Sequence, residues 1–152
     1  MTGDLSVIER FKPLFEPKTV AVIGASTRGD ALPNVFIRRL RQHGYAGPVY
    51  PIHPSAPEIE GLAAYRSLAD TPQPVDYAYV AITAAQVPPL LREARGRVRY
   101  AQVISSGFGE VAEGRGLQEE LVAAARAGGM RLLGPNCMGL YSPRGRVTFA
   151  DV

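Results

Sequence analysis

The chain has 152 residues, 46% hydrophobic and 20% charged, the balance of a folded globular protein rather than a disordered one. Seventeen basic and 14 acidic side chains leave a net charge of +3 and a pI of about 9.2. The arginines are scattered and lack interleaved aromatics, which argues against a single-strand nucleic-acid platform and favours a small phosphate-bearing ligand. There is no run of about 18 apolar residues and no basic-then-apolar leader, and the lone Cys137 can form no internal disulfide, so a cytoplasmic protein off the membrane is expected.

In chain order, Leu5, Ile8, Phe11 and Phe15 recur at helical spacing and predict a short helix that caps a sheet and is broken by Pro13. Residues 19–23 form a compact apolar run stopped by Gly24, the pattern of a buried parallel strand. Over 34–43, Phe36 and Leu40 stand four apart with polar residues opposite, predicting a helix ended by Gly44. Residues 48–52 read as a second strand and 77–82 as a third. A short helix follows over 87–94, its prolines tolerated in the first turn, and then a fourth strand over 100–104. Leu117, Leu121, Val122 and Ala125 give one apolar face to a helix that stops at Gly128 and Gly129. Residues 131–133 form a short fifth strand, and 141–152 build no further unit. Strand and helix alternate with crossovers long enough for parallel pairing. The expectation is an α/β fold: a Rossmann-like doubly wound parallel sheet of about five strands with helices on both faces.

Ligands of open α/β sheets gather at the carboxyl ends of the strands. The loop after the first strand is Gly24, Ala25, Ser26, Thr27, Arg28, Gly29; its glycine permits a tight turn, and its amides and hydroxyls suit phosphate oxygens. A dinucleotide loop would carry G-x-G-x-x-G and an acid at the end of the second strand. Here Ser26 stands at the middle glycine, and the second strand ends in Ile52, His53, Pro54. A neutral or cationic imidazole there tolerates a ribose phosphate that a carboxylate would repel, and coenzyme A has such a phosphate.

Five segments carry a resemblance to the CoA-binding domain of NDP-forming acyl-CoA synthetases. They are Pro17-Lys-Thr-Val-Ala-Val-Ile-Gly-Ala-Ser26, Tyr45-Ala-Gly-Pro-Val-Tyr-Pro-Ile-His-Pro54 with Glu58-Ile-Glu-Gly61, Pro74-Val-Asp76, Ile104-Ser-Ser-Gly-Phe-Gly-Glu110, and Leu133-Gly-Pro-Asn-Cys-Met-Gly-Leu140. The last is also similar to the succinyl-CoA synthetase alpha subunit. The resemblance implies that Gly24, Ala25, Ser26, Thr27 and Arg28 take the CoA phosphates, and that Ile82, Thr83 and Ala84 pass along the adenine or pantetheine. It further places Ile104, Ser105 and Ser106 on the pantetheine arm, and Asn136 and Cys137 near its thiol end. His53, Pro54 and Ser55 stand where the family usually has Asn-Pro-Lys, so Arg28 or His53 would have to replace the lysine's charge; Ile82, Thr83 and Ala84 replace a usual Val-Pro-Ala.

The enzymes resembled form an acyl phosphate from acyl-CoA and pass the phosphoryl group through a histidine to ADP or GDP. The resemblance places that histidine and the nucleotide-grasp unit in later domains or a separate subunit. It divides this chain into a capping segment (1–16), the CoA-binding domain (17–145) and the start of a linker (146–152), and implies that this chain alone binds without catalysing. A free-standing or regulatory CoA-binding module, for example one fused to an acetyltransferase, is the second alternative, and an NAD(P)-binding redox domain the third. Among the remaining candidates, Cys137 has no nearby histidine in sequence and reads as a packing thiol, His43 as a helix-end residue, and Glu119 and Glu120 as a solvated helix face, with Glu110 open as an acid or base. No His, Cys, Asp and Glu spacing suits a metal.

Overall fold

The computed structural model describes residues 6–150 and begins with a helix whose start is set by a capping box. In α1 (Val7–Phe15) the Ser6 hydroxyl accepts the Glu9 N–H at 3.3 Å, and the Glu9 carboxylate accepts the Ser6 N–H at 3.2 Å. The helix is not broken at Pro13 but runs through it. Proline forfeits one hydrogen bond so near the end, and the Glu16 N–H still closes on the Lys12 carbonyl at 2.7 Å. Of the expected apolar face, Phe11 packs on Tyr100 with ring centroids 6.2 Å apart, Ile8 and Phe15 are exposed, Leu14 is buried in their stead, and Leu5 lies outside the described residues.

There follow β1 (Val20–Ile23), α2 (Leu32–Gln42), β2 (Val49–Ile52), the short strands β3 (Glu58–Ile59) and β4 (Leu62–Ala63), β5 (Val75–Val80), α3 (Val87–Glu93), β6 (Val98–Val103), α4 (Arg115–Ala127), β7 (Arg131–Leu133), β8 (Tyr141–Ser142) and β9 (Val147–Thr148). Five strands pair in parallel in the order β2-β1-β5-β6-β7, which is the expected doubly wound sheet. Strand alternation sends Val20, Val22, Tyr77, Tyr79 and Tyr100 toward α1 and α2, while Ala21, Ile23, Ala78, Val80, Ala101 and Val103 meet α3 and α4. Both faces are covered, so the strands are apolar throughout rather than alternating. On the first face Phe36 of α2 stacks on Tyr79, with centroids 4.3 Å apart and planes 15° from parallel.

Two differences from the sequence reading bear on function. Helix α2 starts at Leu32 because Pro33 fits the first turn, and this places Asn34 inside the helix rather than at its start. Residues after 141, expected to build nothing, form the antiparallel pair β8–β9, which buries Ser142, Val147 and Thr148. Two-residue strands are too short to show alternation in a sequence; this hairpin is held by tertiary contact, with the Ser142 hydroxyl donating to the Phe15 carbonyl. From β1 the chain crosses to β2 on one side and later enters β5 on the other. The ends of β1 and β5 are therefore the switch point where such sheets open a crevice.

Candidate functional site

The loop leaving β1 passes directly over the end of β5. Gly24 has φ 102°, and a Cβ there would lie 2.1 Å from the Ala81 carbonyl oxygen, so only glycine fits this crossing. Beyond it the loop is latched to α2 by Asn34, whose side chain is 1% exposed. The Ser26 N–H donates to Asn34 Oδ1 at 2.7 Å, and Asn34 Nδ2 donates to the Ser26 carbonyl at 2.8 Å and to Glu60 Oε1 at 2.9 Å. Glu60 sits in the β3–β4 turn at φ 52° and also accepts from Arg38 at 2.7 Å, while Arg38 donates to the Gly29 carbonyl at 3.0 Å. A partly buried carboxylate with two donors is thus the keystone of the loop. The amide of Ser26 is spent on Asn34, and its hydroxyl donates to Asp30 at 3.2 Å. Among the described residues, the amides of Thr27 and Arg28 have no protein acceptor, the arrangement that an anion could use.

At the end of β2, the His53 N–H donates to the Tyr65 carbonyl at 2.9 Å, and His53 Nδ1 accepts the amides of Ser55 at 3.2 Å and Ala56 at 2.8 Å. Pro54 between them has no N–H to offer. The ring therefore works as an asparagine would in an Asx turn, where Oδ1 accepts the same amides. In the neutral ring this puts the proton on Nε2, which is left as a donor. The imidazole thus holds a turn that an asparagine at 53 could also hold.

The β1 loop, the β2 end, the β5 end and α3 enclose a cleft of about 640 Å³, within the range of ordinary ligand sites. It brings together the expected Gly24, Ala25, Ser26, His53, Pro54 and Ile82. Thr27 and Arg28 lie exposed on the same loop without lining the cleft, and Thr83 and Ala84 sit in the turn that leads from Ile82 toward α3. Ile104, Ser105, Ser106, Asn136 and Cys137 are outside the cleft on the loops after β6 and β7, but those loops are tied to it. The Ser105 hydroxyl donates to the Ile82 carbonyl, the Asn136 N–H to the Ser105 carbonyl at 3.0 Å, and the Cys137 N–H to the Val103 carbonyl at 3.2 Å. Below them the fully buried Gln102 donates to the Cys137 carbonyl and accepts from the Tyr77 hydroxyl at 3.1 Å. Burial pushes the Tyr77 phenol far up, which keeps it protonated as that donor.

Sequence reasoning missed Asn34 and Glu60 as the latch, and Arg66, Ala85, Gln86, Pro89, Leu90 and Glu93 as cleft walls. The spacing of Gln86, Pro89, Leu90 and Glu93 along one helix face was a usable signal. Arg66 had none, since it reaches the cleft through the bridge of Tyr65 to Ile52. The other candidates fall away from the cleft. His43 caps α2 with Nδ1 2.9 Å from the Arg39 carbonyl, and Glu120 pairs loosely with Arg92 at 4.0 Å on the outside of the molecule. Glu110 accepts the Gly107 amide, its own amide and the Phe108 amide, which together hold its carboxyl below the ordinary range; it staples its loop. Among the described residues no group of three or more His, Cys, Asp or Glu could hold a metal, and no helix is long and apolar enough to cross a membrane.

Residues 18–143 match the family described as CoA binding domain. The chain is 40% identical over 137 residues to the alpha subunit of ADP-forming acetate–CoA ligase I from Pyrococcus furiosus, covering 86% of this chain and 30% of that protein. It is 42% identical over 131 residues to the ADP-forming acetate–CoA ligase I of Archaeoglobus fulgidus, covering 85% and 19%. Among solved structures, the dinucleotide-forming acetyl-coenzyme A synthetase 1 of Ca. Korarchaeum cryptofilum, in complex with phosphate and ADP, superposes with a TM-score of 0.85 at 39% identity over 93% of this chain and 31% of that one. The chain thus spans less than a third of each of these relatives. With a glycine-first loop at the switch point of a doubly wound sheet, and a family match over most of its length, the chain belongs to the CoA-binding domain family.

Proposed function

We propose that this chain holds coenzyme A or acyl-CoA as the CoA-binding part of an ADP-forming acyl-CoA ligase. The observation that carries the proposal is the track of strand-end loops: the cleft at Gly24 and His53 continues through Ile82 to Ser105 and from Ser105 to Asn136 by direct hydrogen bonds, with Cys137 next along and bonded to the Val103 carbonyl at the end of β6. An extended ligand with a nucleotide at one end and a thiol at the other suits such a track. In this arrangement the amides of Thr27 and Arg28 take the diphosphate. Apolar walls at Ile52, Pro54, Ile82 and Leu90 hold the nucleoside, and Ile82, Thr83 and Ala84 start the pantetheine on its way. Ile104, Ser105 and Ser106 border the arm, with Asn136 and Cys137 at the thiol end.

The chain's own role is to bind and orient; phosphoryl transfer falls to later domains or to a separate nucleotide-grasp subunit, in the cytoplasm. Calorimetric titration with CoA, dephospho-CoA, NAD and NADP tests the reading. CoA is expected to bind most tightly, and tighter binding of NAD refutes it.

A further inference from the structure

We propose that Arg66 is the residue that reads the ribose phosphate monoester of the ligand, replacing a cation that the His53 turn lacks. The inference rests on the CoA reading above and adds to it a residue that determines specificity. Tyr65 is tied to β2 from both sides: its N–H donates to the Pro51 carbonyl at 2.9 Å, and its carbonyl accepts the His53 N–H at 2.9 Å. Its ring packs edge-on against Tyr50, with centroids 5.5 Å apart and planes at 86°. The next residue along, Arg66, is thereby carried onto the cleft wall beside His53 and Pro54.

Arginines elsewhere are engaged: Arg38 with Glu60, Arg97 with the Thr71 carbonyl, Arg99 with Asp76 and Arg92 with Glu120. The guanidinium of Arg66, in contrast, has no partner among the described residues. It is the only cationic side chain among the described residues lining this cleft; the exposed Arg28 stands on the loop outside it. Glu93 also lines the cleft and is not within ion-pair distance of Arg66, so a dianion is drawn toward Arg66 and His53 and away from α3. A guanidinium offers a planar fork of donors to a phosphate monoester, and His53 Nε2–H is placed to add another. Ser55, where the resembled family carries lysine, contributes no charge.

CoA and dephospho-CoA differ only in this phosphate, so the pair isolates the contact. Wild type is expected to prefer CoA by roughly ten- to a hundredfold, the worth of a charged hydrogen-bond pair. Arg66→Gln should collapse that preference while leaving dephospho-CoA affinity as it was, Arg66→Lys should restore part of it, and Arg92→Gln, outside the cleft, should keep it. Circular dichroism checks that each variant is folded; Arg66 is exposed, and no fold contact depends on its head group. If Arg66→Gln keeps the wild-type preference, or wild type binds both ligands equally, the assignment of Arg66 is wrong while the CoA reading stands. If wild type binds neither ligand, both are wrong.

Discussion

Asn34→Ala probes the latch of the loop after β1, the proposed phosphate site. The side chain makes three hydrogen bonds, two with the Ser26 backbone and one to the Glu60 carboxylate, and is 1% exposed. Amide-type bonds contribute about 0.5–1.5 kcal/mol each and one to a charged group about 1.5–3 kcal/mol, a gross figure of roughly 2.5–6 kcal/mol. Two features reduce it: Glu60 keeps Arg38 at 2.7 Å, and the half-buried Ser26 backbone can turn to water. A net loss of about 2–4 kcal/mol is expected. For a chain of this size that lowers the melting temperature by roughly 5–15 °C, at about 2–4 °C per kcal/mol. Thermal unfolding followed by circular dichroism measures the loss, and titration with CoA should show weaker binding as the loop loses its preset shape. Asn34→Asp is the sharper variant. Its Oδ1 still accepts the Ser26 N–H, but the second oxygen faces Glu60 Oε1 and the Ser26 carbonyl where a donor is needed. It should be no more stable than Asn34→Ala at neutral pH and should recover as acid protonates one carboxyl of the pair. An Asn34→Ala melting point within about 1 °C of wild type, with unchanged CoA affinity, refutes the latch.

Gly24→Val should abolish CoA binding and destabilise the fold, since the conformation alone costs on the order of 1–3 kcal/mol before the contact with the Ala81 carbonyl is counted; a variant that binds normally in titration would move the phosphate site elsewhere. Ser26→Ala should change CoA affinity by no more than roughly threefold, the size of one weak neutral hydrogen bond, because its hydroxyl faces Asp30; a much larger loss would mean the hydroxyl turns to the ligand. His53→Asn should melt with wild type, whereas His53→Ala, which strands the Ser55 and Ala56 amides, should melt a few degrees lower; equal melting of all three would deny the ring its place in the turn. Burial raises the phenols of Tyr45, Tyr77 and Tyr79, that of Tyr79 to about 12. These groups hold their protons in the folded state above pH 10.0, where unfolded tyrosines have begun to lose theirs. Stability present below that pH should fall as pH rises through the alkaline range, and a flat denaturant midpoint from pH 9 to about 12 would contradict it. Incubation with acetyl phosphate or ATP should leave the intact mass unchanged, because His43 ends α2 away from the cleft and the Nδ1 lone pair of His53 is taken by the Ser55 and Ala56 amides; a stable phosphoryl adduct on either would overturn the proposed binding-only role.

Local chemistry in the chain was enough for the architecture. The run Val20 to Ile23 is apolar at every position, and a strand covered on both faces has to be. Gly24 follows at once, and the turn over β5 admits no side chain. The missing middle glycine and the imidazole at 53 spoke against a dinucleotide before any geometry was known. Tertiary structure alone decided which polar groups meet. Asn34 reads only as the first residue of a helix, and only the fold of the β3–β4 turn brings Glu60, 26 residues away, against it. Arg66 reads as one more surface arginine until Tyr65 bridges to Ile52 and sets it on the cleft wall. The hairpin β8–β9 likewise depends on the Phe15 carbonyl and the face of α2, partners more than 100 residues away in sequence. Apolar periodicity registers in a sequence because burial acts on every second or fourth residue. A hydrogen bond between side chains far apart in sequence leaves no period, and becomes visible only when the backbone has brought the two together.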